Sequence, residues 1–152
     1  MFVEVVDGAV TTELRRAVLR PTWAPGTPMH GDGAPGVLHI ASRTEPGGPV
    51  VGACVLLPAP YPLRPDAPGA WQLRGMATDP AWRGRGVGEG VLFRAIFELA
   101  HRGAELVWCQ ARVGAIEFYA RYGFAAEGER FDHAETGIVH QHMWRPVVEP
   151  FG

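Results

Sequence analysis

The sequence predicts a single α/β domain with a mostly antiparallel sheet, and three observations support this. The chain has 152 residues, the length of one domain. Its composition, 47% hydrophobic and 20% charged, is that of an ordinary globular chain. Strand and helix patterns follow one another in the order β-α-β-β-β-α-β-α-β-β, without a composition shift between them. We therefore expect one domain over residues 1–152.

The first half of the chain predicts four strands and one helix. A helix begins near Thr11 and ends before Pro21, which cannot continue it. Its narrow apolar stripe predicts that Arg15 and Arg16 form a solvated face. The strands are expected over residues 2–6, 37–42, 50–57 and 71–78, the second and third as an antiparallel hairpin.

The second half predicts two helices and three strands. Apolar residues recur at helical spacing from Val91 to Leu99, and Gly103 closes that helix. A short helix over residues 115–122 has Gly123 at the position of a left-handed C-cap. The strands are expected over residues 105–110, 124–131 and 138–144. Two proline-rich connectors, residues 21–36 and 58–70, are candidates for binding loops, the first as a lid.

Missing residue types exclude several classes of protein. All 14 basic residues are arginine, so a Schiff-base lysine, a pyridoxal-phosphate anchor and a Walker loop are excluded. Ser42 is the only serine and lies outside a nucleophile elbow. The net charge of −2 argues against nucleic acid as a partner.

The two cysteines and the apolar segments bear on the environment of the chain. Cys54 and Cys109 lie in apolar runs without metal spacing, which predicts small buried side chains in a reducing compartment. No leader and no run of about 18 apolar residues is visible, so we expect a cytoplasmic protein without a membrane partner.

A glycine-rich turn between a strand and a helix carries the strongest chemical signal. Four glycines alternate with other residues from Gly84 to Gly90, directly before the helix. Glycines allow successive backbone N–H groups to face one centre, and a helix N-terminus adds partial positive charge. This combination predicts an anion site suited to a diphosphate. The spacing differs from the G-x-G-x-x-G pattern of dinucleotide-binding folds.

Two motifs resemble those of the GCN5-related N-acetyltransferases (GNAT superfamily). Arg83-x-x-Gly86-x-Gly88 is similar to the acetyl-CoA motif R/Q-x-x-G-x-G/A. The segment from Ala115 to Phe124 is similar to the family's A-x-x-x-Y-x-x-x-G-F helix. The end of the chain, Gly137-Ile-Val-His-Gln-His-Met143, resembles small bacterial members of the ElaA-like kind. The resemblance implies the GNAT fold, a mostly antiparallel mixed sheet flanked by helices.

The resemblance implies a binding role for particular residues. The end of the strand before the loop would pair with the pantetheine arm through Met76, Ala77 and Thr78. The coenzyme diphosphate would be bound by backbone N–H groups and arginine side chains from Arg83, Gly84, Arg85, Gly86, Val87, Gly88 and Glu89. Arg112 occupies the position where the family often has an asparagine that contacts the pantetheine or the helix start. The resemblance therefore implies that Arg112 contacts the coenzyme, although its residue type departs from the family pattern.

The resemblance also implies a proton donor. Tyr119 matches the family tyrosine that lies near the thioester sulfur, where it would bind the coenzyme and protonate the leaving thiolate. Tyr122 is its rival as donor.

The general base is less clear, since the strand Trp71–Gly75 has no carboxylate. A water chain or a histidine would then do this work. His140 and His142 face the same side of the last strand, and His140 is our candidate. His39 and His30 are weaker candidates. The His140–His142 pair lacks a third ligand, so we expect no metal.

The resemblance implies acetyl-CoA-dependent transfer of an acetyl group to a primary amine, on a small molecule or a peptide, by direct attack on the thioester. The alternative is a catalytically silent, acyl-CoA-binding regulatory module, which the missing strand carboxylate favours and Tyr119 disfavours. Coenzyme A is the only cofactor expected, and a homodimer is left open. The composition does not identify the acceptor amine.

Overall fold

The computed structural model describes residues 1–29 and 33–148. The chain forms two compact units, residues 1–57 with 73–98, and residues 58–72 with the chain from 99 onward. Seven strands form one sheet in the order β1-β2-β3-β4-β5-β7-β6. The predicted order of strands and helices is confirmed.

The described part of the first unit has three strands, part of a fourth strand and two helices. Its strands are β1 (Phe2–Val6), β2 (Leu38–Arg43), β3 (Val50–Pro58) and the second part of β4 (Ala70–Thr78). Its helices are α1 (Thr12–Leu19) and α2 (Val87–His101). β2 pairs antiparallel with β1 and with β3, which confirms the predicted hairpin. The core is densest on β3, whose residues from Val51 to Leu56 are all buried.

Helix α1 corrects one expectation, because Arg15 and Arg16 are its buried residues. The Arg15 side chain lies under β4, where the Cβ of any side chain at Gly75 would be 2.7 Å from Arg15 Nε. Arg16 donates to Glu13 and, at 2.8 Å, to the Trp23 carbonyl oxygen. Arg16 is buried because oxygens of its own unit accept its N–H groups, and Arg15 donates from Nη1 to Thr11 Oγ1 at 3.4 Å. An apolar stripe does not reveal such acceptors.

The start of α2 is seated on β3 through a glycine. A Cβ at Gly52 would overlap Val87 Cγ1, so only glycine permits this approach of helix to strand. Val87 is buried at the first helical position. Further along α2, Arg94 donates to the Val3 carbonyl oxygen at 2.8 Å. These contacts fix the helix N-terminus relative to the strands of this unit.

The second unit has four strands and one short helix. The first three residues of β4 pair parallel with β5 (Leu106–Arg112). β5 pairs antiparallel with β7 (Val139–Pro146), and β7 with β6 (Ala125–Asp132). Helix α3 (Ile116–Arg121) follows β5, and Gly123 after it has φ +88°, which confirms the predicted left-handed cap. The sheet is therefore mixed, because it contains antiparallel pairs as well as the parallel pair of β4 with β5.

Both cysteines are free and buried, as the apolar runs predicted. Burial raises the pKa of Cys54 to about 12, so its thiol is protonated and inert near neutral pH. Across residues 1–29 and 33–148, no helix has the length and apolarity that a membrane span needs.

Candidate functional site

The end of β4 leads into a tightly turned segment of the first unit. The Asp79 N–H donates to the Val51 carbonyl oxygen at 2.8 Å, so the turn is anchored on β3. The Asp79 carboxylate accepts from the Ala81 N–H at 2.9 Å and caps a short 3-10 helix over Pro80–Trp82. Asp79 and Pro80 thereby fix the direction in which the chain leaves the strand. Met76, Ala77 and Thr78 are the last residues of this strand.

The glycine loop (residues 83–89) follows at once and ends in the first turn of α2. Gly84 has φ +75° and Gly86 φ +79°, in the left-handed region that glycine tolerates and other residues rarely adopt. A Cβ at either position would meet no atom within 4 Å. The first helical bond runs from the Gly90 N–H to the Gly86 carbonyl oxygen, so the earlier N–H groups of the helix have no intrahelical acceptor.

The loop has two exposed arginines and one exposed glutamate, Glu89. The side chains of Arg83 and Arg85 are exposed, and the Arg85 guanidinium lies 5.0 Å from the centre of the Trp82 ring. A bound diphosphate requires space, hydrogen-bond donors and positive charge. The loop offers open space beside two glycines, the N–H groups of a helix start and two exposed arginines. The residues present therefore fit the phosphates of a nucleotide-linked thioester. Val87, by contrast, is buried, so its side chain does not face the loop's open space.

In the second unit, Arg112 ends β5 and Tyr119 lies on α3. Tyr119 is buried, with edge-on contacts to Phe118 and Phe124 at centroid distances of 5.2 and 5.3 Å. Tyr122, its rival as donor, is half-buried, and its carbonyl oxygen accepts from Arg145 at 2.7 Å. The last turn of this helix is thus held to β7.

His140 is buried on β7 directly opposite Arg112 on β5. Its Nδ1 lies 2.7 Å from the Ile138 carbonyl oxygen, a contact that requires the proton on Nδ1. The second nitrogen, Nε2, is then the basic one. The His133 ring packs against His140 at a centroid distance of 4.6 Å. Two residues on, His142 lies opposite Glu127 of β6.

The other histidines of the sequence lie elsewhere. His39 is buried on β2, and its Nδ1 is 3.4 Å from Thr11 Oγ1, which gives it a structural role in the first unit. His101 is exposed at the end of α2, and His30 lies outside the described residues. Within the described residues, no group of three or more metal-ligating side chains exists.

Sequence reasoning missed a carboxylate and a tyrosine in the second unit. Glu127 accepts from Arg64 through both oxygens, at 3.2 and 2.7 Å. Tyr61, on the connector before β4, is fully buried and stacks on Trp108 at 5.5 Å. No local motif marks these residues. To find Glu127 from the sequence, one would have needed to predict its pairing with His142 across strands β6 and β7.

Comparisons with known proteins agree on one family. The model of the acetyltransferase (GNAT) family matches residues 13–124. A curated relative, the uncharacterized N-acetyltransferase YitI of Bacillus subtilis, is 31% identical over 131 residues, 86% of each chain.

Solved structures share the fold at low identity. Escherichia coli ElaA is similar with a TM-score of 0.75 and 17% identity, over 95% of this chain and 98% of that one. An aminoglycoside 6′-N-acetyltransferase complexed with coenzyme A gives 0.72 and 16%, over 97% and 98%. The family match and the curated relative together establish that the chain belongs to the GNAT family and is an acyl-CoA-dependent N-acetyltransferase.

Proposed function

We propose that this enzyme transfers the acetyl group of acetyl-CoA to a primary amine by direct attack on the thioester. The observation that carries the proposal is the glycine loop, with left-handed Gly84 and Gly86 beside open space at the start of α2. In the proposal, backbone N–H groups from Gly84, Gly86, Gly88 and Glu89 bind the diphosphate of the coenzyme. The Arg83 and Arg85 side chains add charge, and Met76, Ala77, Thr78 and Arg112 contact the pantetheine arm.

Tyr119 is proposed as the general acid. As the carbon–sulfur bond breaks, its phenol would give a proton to the coenzyme A thiolate, a base of similar strength. A buried position on a packed helix supports this role, because few rotamers are open to the ring.

His140 is proposed as the general base. Its Nδ1 is held by the Ile138 carbonyl oxygen, which fixes the ring. In the proposal, Nε2 accepts a proton from the amine as the carbon–nitrogen bond forms. The products are then the acetamide and free coenzyme A. Most of the rate enhancement would come from holding two reactants in one geometry.

The test is release of coenzyme A thiol from acetyl-CoA with a panel of amines. The panel contains an aminoglycoside, a polyamine, an arylalkylamine and a peptide with a free N-terminus. The chain has no lysine, so acetylation of its own lysine side chains cannot contribute to thiol release. We expect release with at least one amine. Acetyl-CoA binding without release for every amine would instead support a silent acyl-CoA-binding module.

A further inference from the structure

Three aromatic rings surround the His142 imidazole in the second unit. The Phe131 ring lies 4.6 Å from it, Tyr61 6.0 Å and Trp108 6.2 Å, measured between ring centroids. We call His142 and these three residues the ring cluster. Tyr61 and Trp108 are buried, whereas His142 and Phe131 are half-buried, so the cluster reaches the surface at the edge formed by β6 and β7.

Two buried polar atoms of the ring cluster have no hydrogen bond of good geometry to a described residue. These atoms are Tyr61 Oη and His142 Nε2. Trp108, by comparison, satisfies its indole N–H by donating to the Ala59 carbonyl oxygen at 2.9 Å. A buried hydroxyl or imidazole nitrogen without a partner is costly, and two in one cluster indicate a place for a polar ligand group.

Charge determines which ligand group fits. The Glu127 carboxylate lies opposite His142 and close to the Tyr61 hydroxyl. The pKa of Tyr61 is raised mainly by burial and further by this carboxylate, so the phenol stays neutral. Burial lowers the pKa of His142, partly offset by Glu127, so its imidazole is neutral near pH ~7. Arg64 holds both oxygens of Glu127, so the charge of that carboxylate is already paired. An ammonium group is favoured instead by two neutral acceptors and by the aromatic faces around them.

We propose that Tyr61 Oη and His142 Nε2 form the subsite that binds the protonated amine of the acceptor. This proposal rests on the proposed acetyl transfer to an amine. One N–H of the ammonium donates to Tyr61 Oη and another to His142 Nε2, while the faces of the surrounding rings stabilise its charge. The third substituent, the carbon chain, packs on the rings of Phe131 and Trp108, which favours arylalkylamines.

The same contacts give His142 a proton-accepting role before attack. The ammonium N–H bond breaks, its proton passes to His142 Nε2, and the electron pair stays on nitrogen as the nucleophilic lone pair. Because Nε2 itself is buried, the imidazolium then loses a proton to solvent through the exposed part of the half-buried ring. His140 remains the proposed base for the later step, when the amine nitrogen carries the new acetyl group.

The experiment measures binding of phenethylamine to the full chain, without acetyl-CoA, by NMR titration. Phenethyl alcohol, which lacks the charge, is the matched ligand. We expect Tyr61→Phe and His142→Gln each to weaken phenethylamine binding by about 10–100-fold, as for loss of a hydrogen bond to a charged group. His101→Gln, an exposed histidine on α2, is the matched variant and should bind like the wild type.

Steady-state kinetics separate a role in amine binding from a purely structural role of Tyr61 and His142. The KM for phenethylamine should rise in both variants, while the KM for acetyl-CoA stays unchanged. The Tyr61→Phe variant keeps the packed ring, so its fold is expected to survive even if His142→Gln does not. Phenethylamine binding within about two-fold of wild type in both variants, or equally tight binding of the alcohol, would overturn the subsite.

Failure of the subsite and failure of the proposed function give different results. If wild-type protein releases thiol with amines but the two variants behave like wild type, only the subsite is wrong. If phenethylamine binds as expected yet no amine releases thiol, the subsite is supported as a binding site and the acetyl transfer is wrong.

Discussion

At the scale of single residues, Tyr119 and His140 have the surroundings of groups held in one orientation. Tyr119 lies between two aromatic neighbours, and His140 is fixed by a contact of 2.7 Å from its Nδ1 to the Ile138 carbonyl oxygen. Such fixation benefits a proton donor or acceptor, because geometry is then set before the reaction begins.

Tyr119→Phe should lower kcat by about 10²–10⁴-fold, since the variant keeps the ring and loses only the donated proton. Acetyl-CoA affinity, measured by calorimetry, should stay close to that of wild type. Tyr122→Phe is the matched variant, because it removes the hydroxyl of the half-buried rival on the same segment. A larger loss of kcat in Tyr122→Phe would reverse the assignment.

The Arg64–Glu127 pair predicts a dependence of stability on pH. The hydrogen bond from Arg64 lowers the pKa of Glu127 from its ordinary value of 4.5. A lowered carboxyl pKa stabilises the folded state fully above pH 4.5, and this contribution is lost as pH falls through the folded-state value.

Glu127→Gln should therefore lose less stability than wild type between about pH 6 and about pH 3, as measured by urea unfolding. Glu129→Gln, an exposed change on the same strand, is the control and should follow wild type. Parallel curves for Glu127→Gln and wild type would show that the pair contributes nothing.

At the scale of elements, α2 is positioned by its contact with β3. The glycine loop can hold N–H groups in place only if the first turn of the helix is fixed, and Val87 packed on Gly52 fixes it. The packing contact and the proposed diphosphate site therefore lie at the same helix start.

Gly52→Ala should destabilise the fold by about 1–3 kcal/mol, because the added Cβ overlaps Val87 Cγ1. Adding Val87→Ala to this variant should recover part of the loss, since it removes the overlapping methyl groups. Urea unfolding of both single variants and the double variant measures the coupling. Additive effects would mean that helix and strand adjust independently.

Helices that end at a proline or a glycine were predictable from the sequence. Pro21 and Gly103 delimit α1 and α2 within a few residues, because proline cannot continue a helix and glycine favours its end. The burial of Arg15 and Arg16 was not predictable, because periodicity registers apolar side chains and not the oxygens that receive guanidinium N–H groups.

The candidate site was predictable where it is local in sequence. The glycine loop follows from its own spacing, whereas Tyr61 meets Trp108 only through long-range folding. Glu127 was hidden for a further reason, the register shift of β6 between Glu127 and Phe131, where simple alternation fails.

At the scale of the whole molecule, coenzyme binding should raise the free energy of unfolding. A ligand that binds only the folded state at about 100-fold above its Kd adds about 2.7 kcal/mol. For a chain of this length that corresponds to a rise in Tm of about 5–11 °C.

Thermal unfolding with and without acetyl-CoA measures this rise, which should be lost in Gly86→Val. The substitution forces a β-branched side chain into φ +79° and fills open space beside the loop. Gly33→Ala, at an exposed glycine without a close contact, is the matched control. An unchanged ligand-induced rise in Gly86→Val would remove the loop from coenzyme binding.

The position of Arg85 over the Trp82 indole also provides a built-in optical reporter. A phosphate that draws the guanidinium away from the ring changes the electric field at the indole, and with it the wavelength and intensity of emission. A difference spectrum between wild type and Trp82→Phe isolates this signal from the other tryptophans. Nucleotide occupancy can thus be followed in real time without attaching a dye.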